Sequence, residues 1–232
     1  MSREQMLATL RTSLASNRAW LEAEAHKAPH TPPPFVLPPA DDLAAQFAAE
    51  LTKLEGRVYQ VADHEEALET VATLLEERKA TTAVAWDRAQ IGLPGLDKLL
   101  AERGVQVLDP VVRDEARKAQ LQVLEPAPVC LSGADFAIAE SGSLVLYHGP
   151  GRPRLASLLA PTHIAVITSD QLVRGLGEAM ARLRERYAGR LFDVTSNLTL
   201  ISGPSRTADI EMTLSLGIHG PPELHVVLVQ TP

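Results

Sequence analysis

From Asp42 to the C-terminus, short β-rich runs alternate with amphipathic helical stretches. That alternation leaves few folds open. Arg57–Val61 (RVYQV), Thr81–Trp86 (TTAVAW) and Val105–Asp109 (VQVLD) read as strands. Asp42 is placed to cap a helix reaching about Leu54. Asp63 is placed to cap the next, with Glu66 at capping-box spacing and an apolar stripe of Ala67, Leu68, Val71, Leu74 and Leu75. Helices are also expected around Leu96–Arg103, ended by Gly104, and over 113–122. The later runs Ser143–Tyr147, His163–Thr168, Leu198–Ser202 and Leu224–Val229 are continuously apolar, as strands covered on both faces are. A long helix is expected over Asp170–Tyr187. The pattern predicts an α/β protein with an open, mainly parallel sheet and helices on both faces.

Residues 4–27 form a separate helical stretch, with Met6, Leu7, Leu10, Leu14 and Leu21 at helical spacing. Between Pro29 and Pro39 the chain holds six of its 17 prolines, which fix φ and remove backbone donors. The expected organisation is an N-terminal arm and connector over 1–40 and an α/β domain over 41–232. The arm either packs on its own domain or docks a partner or a second copy.

The balance of charge narrows the function. With 29 acidic and 22 basic side chains the formal charge is −7, and aromatics make up 4%. Nucleic-acid binding is disfavoured, because phosphate neutralisation needs a cationic face and base stacking needs aromatic rings. Cys130 is the only cysteine, so this chain cannot itself hold an iron–sulfur cluster of the usual four thiolates. No metal-ligand motif, P-loop or dinucleotide fingerprint is present, since Gly175-Leu-Gly177 sits within a helical stretch and lacks its third glycine. No apolar run approaches the ~20 residues a membrane span needs, and the start lacks a signal-peptide core; a cytoplasmic location is expected.

Three turns concentrate polar chemistry. Glu140-Ser141-Gly142-Ser143 places an acid beside hydroxyls and amides able to form a small anion nest, although Ser and Gly also suit a plain β-turn. Ser202-Gly203-Pro204-Ser205-Arg206-Thr207 follows an apolar run and leads through Asp209 and Glu211. Ser205 or Thr207 is expected to cap a helix from about Ala208 to Leu216, whose free amides, with Arg206, suit a phosphate or carboxylate. The third turn holds His219 and Gly220, where an imidazole can act as acid, base or ligand, or serve the fold alone.

Taken in order, ADFAIAESGSLVL, RLASLLAPTHIAVIT, SGPSRTADIE and LGIHGPPELHVVLV resemble the LUD-domain family in its lactate-utilization branch. The resemblance implies the fold of the ribose-phosphate isomerase, glucosamine-phosphate deaminase and CoA-transferase group. It also implies a cluster-free component of a system oxidising L-lactate to pyruvate with iron–sulfur partner proteins. Position by position it points to Glu140, Ser141, Gly142, Ser143, Ser202, Gly203, Pro204, Ser205, Arg206, Thr207, Asp209, Glu211, His219 and Gly220; Ser141 and Ser143 stand where the family usually has Thr. Ligand binding is expected at Ser141, Gly142, Ser143, Ser202, Gly203, Ser205, Arg206, Thr207, Asp209 and Glu211, with Glu140 and His219 as candidate acid–base groups. A self-contained isomerase or acyl transferase acting on a sugar phosphate or CoA ester is the competing expectation.

Overall fold

Two aspartates set the first elements of the domain. Asp42 Oδ1 accepts from the amides of Ala44 and Ala45, and Asp63 Oδ1 from those of Glu65 and Glu66. Each satisfies amides that a helix start leaves without partners. Glu66 reaches back to the Ala62 amide, one residue short of a full capping box. The computed structural model describes residues 2–27, 34–112, 115–195, 197–208 and 214–231. Contacts divide the chain into two units, Met1–Pro33 and Pro34–Pro232. The first contains helix α1 (Arg3–Lys27), on which Met6, Leu10, Leu14 and Trp20 are exposed.

In the second unit, α2 (Leu43–Lys53) precedes β1 (Arg57–Val61), α3 (His64–Glu77) and β2 (Thr82–Ala85). After them come two short helices, α4 (Arg88–Ile91) and α5 (Leu96–Glu102), then β3 (Gln106–Leu108), α6 (Arg117–Leu124) and β4 (Val129–Ser132). A hairpin follows, β5 (Phe136–Ile138) and β6 (Ser143–Tyr147), then β7 (Thr162–Thr168) and the two-residue β8 (Leu172–Val173). The chain ends through α7 (Leu176–Arg186), α8 (Leu191–Val194), β9 (Leu198–Ile201), the hairpin β10 (Arg206–Ala208) and β11 (Leu214–Leu216), and β12 (Glu223–Val229).

Six strands form one parallel sheet in the order β1-β12-β7-β4-β2-β3. Its helices include α2, whose Ala44, Phe47 and Leu51 are buried at i, i+3 and i+7, and α3, which buries Ala67, Val71, Leu74 and Leu75. The expected open parallel α/β architecture is therefore present.

Three expectations need correction. Ser143–Tyr147 and Leu198–Ile201 do not join the parallel sheet. They form β6 and β9 of a second, four-stranded sheet ordered β8-β5-β6-β9, in which β6 runs antiparallel to both neighbours. Continuous apolarity reports burial on two faces, not parallel pairing. Ala137, Ala139, Leu144, Leu146 and Leu172 turn into the main core, whereas Phe136, Ile138, Val145 and Val173 meet Ala179 and Leu183 of α7 and Leu191 of α8. The second sheet is thus a middle layer.

The helix expected over Asp170–Tyr187 is shorter. A 3₁₀ turn over Ser169–Gln171 and strand β8 replace its start, and Gly175 is the N-cap of α7. A glycine at the cap marks where helical geometry begins. The helix expected from Ala208 is also absent from the described residues: Arg206–Ala208 and Leu214–Leu216 pair as antiparallel strands. Alternation in Thr213-Leu214-Ser215-Leu216 is the sequence signal of that strand.

One ionic node ties the layers. The Asp135 carboxylate is fully buried and accepts from Arg152 at 2.8 Å, Arg186 at 3.1 Å and the Tyr147 amide at 2.7 Å. Arg152 also lies over the rings of Trp86 and Tyr147, at 5.1 and 5.4 Å.

Candidate functional site

The polar turns are assembled against the C-terminal end of α2. Gly142 is left-handed (φ 59), and a Cβ there would lie 2.3 Å from the Leu51 backbone nitrogen. Gly203 (φ 83) presses on Leu54, where a Cβ would lie 2.8 Å from the Leu54 Cβ. These glycines allow the first two turns to converge on one helix end. The convergence is made by hydroxyls: Ser143 Oγ lies 2.8 Å from Ser141 Oγ and 2.6 Å from Ser202 Oγ. Residues 59 positions apart therefore share one hydrogen-bonded row.

Beside that row is a cavity of about 180 Å³, lined in part by Ser202, Gly203, Ser205, His219 and Gly220. It brings the second and third turns together. Its lining also includes polar residues that sequence reasoning passed over, Ser157, His163 and Thr199. His163 is 1% exposed, and its Nε2 lies 2.8 Å from Ser132 Oγ. Burial, with smaller contributions from His148 and His225, pushes the His163 pKa down to about 3, so the ring is neutral at ordinary pH. Thr199 Oγ1 is 2.9 Å from Nε2 of His148, whose pKa burial also lowers. Among the described residues no lysine or arginine lines the cavity. His163 lay hidden inside an apolar strand run; the signal that marks it is a histidine among Ile, Ala and Val.

Other candidates are placed elsewhere. Arg206 turns to the end of α2, donating to the Leu54 carbonyl and lying 3.0 Å from the Glu55 carboxylate. It satisfies a helix-end carbonyl that would otherwise lack a partner. With no helix start at Ala208, the array of free amides expected there is also missing from the described residues. Thr207 lies in β10, Pro204 is buried, and Asp209 and Glu211 lie outside the described residues.

Glu140 is engaged by the chain itself. Its Oε2 accepts from the amides of Val36 at 2.8 Å and Leu37 at 3.4 Å. Arg174 completes the grip, donating to the Leu37 carbonyl at 2.9 Å with its guanidinium 3.8 Å from the Phe35 ring centre. Glu140→Ala is expected to free this segment, and chymotrypsin should then cut after Phe35 several-fold faster than in the parent protein. An unchanged cleavage rate would mean that the carboxylate is not what holds the segment.

A second cavity, of about 760 Å³, lies at the carboxyl ends of β2 and β3 between Asp87, Asp109 and the Gly149–Gly151 turn. Among the described residues no group of three or more His, Cys, Asp or Glu side chains is placed to hold a metal ion, and no helix is long and apolar enough to cross a membrane.

Comparison with known proteins supplies the lineage. The chain is similar to lactate utilization protein C of Halalkalibacterium halodurans, 32% identical over 195 residues that cover 82% of this chain and 80% of that protein. Lactate utilization protein C of Bacillus subtilis is 29% identical over 200 residues, 82% of this chain and 79% of the relative. In fold it resembles a DUF162 family protein from Deinococcus radiodurans, with a TM-score of 0.59 and 25% identity over 83% of this chain and 99% of that one. The family model of the LUD domain matches residues 44–229, from the start of α2 to the end of β12. The chain belongs to the LUD-domain family.

Proposed function

We propose that this chain is a cluster-free component of a lactate-utilization system, which binds a small carboxylic acid in the cavity between the second and third polar turns. The names of its relatives support the pathway. The observation that carries the ligand class is the cavity. At about 180 Å³ it falls below the ~300–1,000 Å³ of sites that enclose drug-sized ligands, so it suits a three-carbon acid better than a CoA ester. Its hydroxyls and imidazole nitrogens supply hydrogen bonds to carboxylate and α-carbon oxygens alike.

Electron transfer would belong to iron–sulfur partner proteins. Cys130 is buried, burial pushes its thiol up to about 11, and a thiol held protonated is a poor cluster ligand. The reading as an isomerase or acyl transferase on a sugar phosphate or CoA ester draws on the 760 Å³ cavity, which has room for a larger ligand.

The test is calorimetric titration of the full chain with L-lactate, pyruvate and a short acyl-CoA, alongside complementation of cells lacking the chain. The small acids should bind, the acyl-CoA should not, and a Ser202→Ala, His219→Ala double variant should lose about tenfold or more in affinity, as loss of paired polar groups implies. Arg206→Ala, whose guanidinium faces α2, should bind normally and restore lactate consumption. Acyl-CoA binding without acid binding would favour the second reading. Undiminished lactate consumption without the chain, in cells with no other lactate-oxidising route, would remove the pathway.

A further inference from the structure

We propose that His163 reads the oxygen on the ligand's α-carbon, so that the cavity selects 2-hydroxy and 2-keto acids over acids lacking that oxygen. The inference rests on the cavity being the acid-binding site and adds a basis for choice among acids.

His163 enters as the second residue of β7 and faces between the two sheets, beside Ser132 of β4. Both side chains are buried, and the bond between Ser132 Oγ and Nε2 is the only hydrogen bond His163 makes with its side chain among the described residues. Nδ1 makes no hydrogen bond among the described residues, and His163 lines the cavity. Nδ1 is not one of the fully buried unpaired atoms, so it is reached from the cavity and is placed to bond a ligand oxygen there.

The chemistry of the wall defines that oxygen. A neutral imidazole has one donor and one acceptor nitrogen. In this reading the Ser132 hydroxyl donates to Nε2, which leaves the ring proton on Nδ1 for a ligand. A carbonyl and a hydroxyl both accept such a bond, so pyruvate and lactate are equally suited. Thr199, bonded to His148, adds a hydroxyl on the same wall. Among the described residues the lining has no fixed cation, and its more exposed members, Ser202 and His219, lie on the other turns. The carboxylate therefore belongs toward those residues and the α-oxygen toward His163. Propionate has the carboxylate and the carbon frame but leaves Nδ1 unpaired in the complex. One unpaired buried group costs about 1–3 kcal/mol, or roughly 10- to 100-fold in affinity.

The experiment is calorimetric titration of the full chain with L-lactate, pyruvate, glycolate and propionate. The three oxygenated acids are expected to bind at least about tenfold tighter than propionate. In His163→Leu the ratio is expected to fall below about threefold, and Ser132→Ala, which removes the partner that fixes the tautomer, should reduce it partway. Thermal melts establish that each variant folds, and the comparison among acids in the parent protein stands whether or not they do. Equal affinity for propionate and lactate in the parent protein would overturn the inference and leave the acid site standing. Binding of none of the acids would overturn both. Undiminished discrimination in a folded His163→Leu would take the role away from His163.

Discussion

Gly142→Ala is expected to destabilise the protein by about 3 kcal/mol or more, through backbone strain and overpacking together. The residue is left-handed, which costs an alanine something before any contact is counted. The new methyl would also lie 2.3 Å from the Leu51 nitrogen, 2.6 Å from its Cα and 2.8 Å from the Glu50 carbonyl carbon. These are backbone atoms of α2, inside a helix whose Phe47 and Leu51 are fully buried, so no side-chain rotation relieves the clash. Either the turn lifts off the helix or the helix moves. In a domain of this size the loss corresponds to a fall in melting temperature of roughly 6–12 °C. Because Gly142 lies between Ser141 and Ser143, lifting the turn also breaks the hydroxyl row to Ser202, so the folded fraction should bind acid more weakly. Differential scanning calorimetry and titration of one sample check both effects. An alanine variant that melts within about 2 °C of the parent would show that the turn does not bear on α2 as described.

That glycine also shows what a sequence can and cannot disclose. The caps at Asp42 and Asp63, the buried stripe of α3 and the parallel strands β1, β2, β3, β7 and β12 follow from local periodicity and hydrogen-bond chemistry, and each is legible residue by residue. The layer to which a strand belongs is not. β6 and β7 are equally apolar because each is covered on both faces, yet one pairs antiparallel in the middle layer and the other lies within the parallel sheet. For the site, composition drew attention to Ser141, Ser143, Ser202, Ser205 and His219, and the fold joins the first three by hydrogen bonds and places Ser202 with the last two along one cavity. Direction was not legible. Arg206 and Glu140 look like ligand groups in sequence because their charge is visible, while the carbonyl of Leu54 and the amides of Val36 and Leu37 that engage them come from distant stretches of chain. His163 was hidden for the opposite reason: an apolar strand run reads as core, and it is core, apart from one imidazole at the cavity wall.

That imidazole should leave a mark on stability as well as on binding. His163 is fully enclosed and its pKa is pushed from 6.5 down to about 3, by burial first and then by His148 and His225. A histidine whose folded pKa lies below its unfolded value contributes nothing unfavourable above about pH 6.5, where both states are neutral. As pH falls below that value the unfolded chain takes up a proton that the folded chain refuses, and stability is lost until the folded pKa is reached. The loss is about 1.4 kcal/mol per pH unit, so near pH 4.5 His163 alone should cost about 2–3 kcal/mol relative to pH 7. His148 and His225, also displaced downward chiefly by burial, act in the same direction, and carboxylates add their own terms. Subtraction isolates His163. Urea unfolding of the parent and of His163→Gln, which cannot titrate, should give free-energy differences that change by about 2–3 kcal/mol between those two pH values, with the variant losing less on acidification. Parallel stability profiles would mean that His163 takes up its proton in the folded protein as readily as in the unfolded one. A ring that charges so easily would be in contact with water, and the cost of leaving its Nδ1 unpaired beside propionate would be lost with its burial.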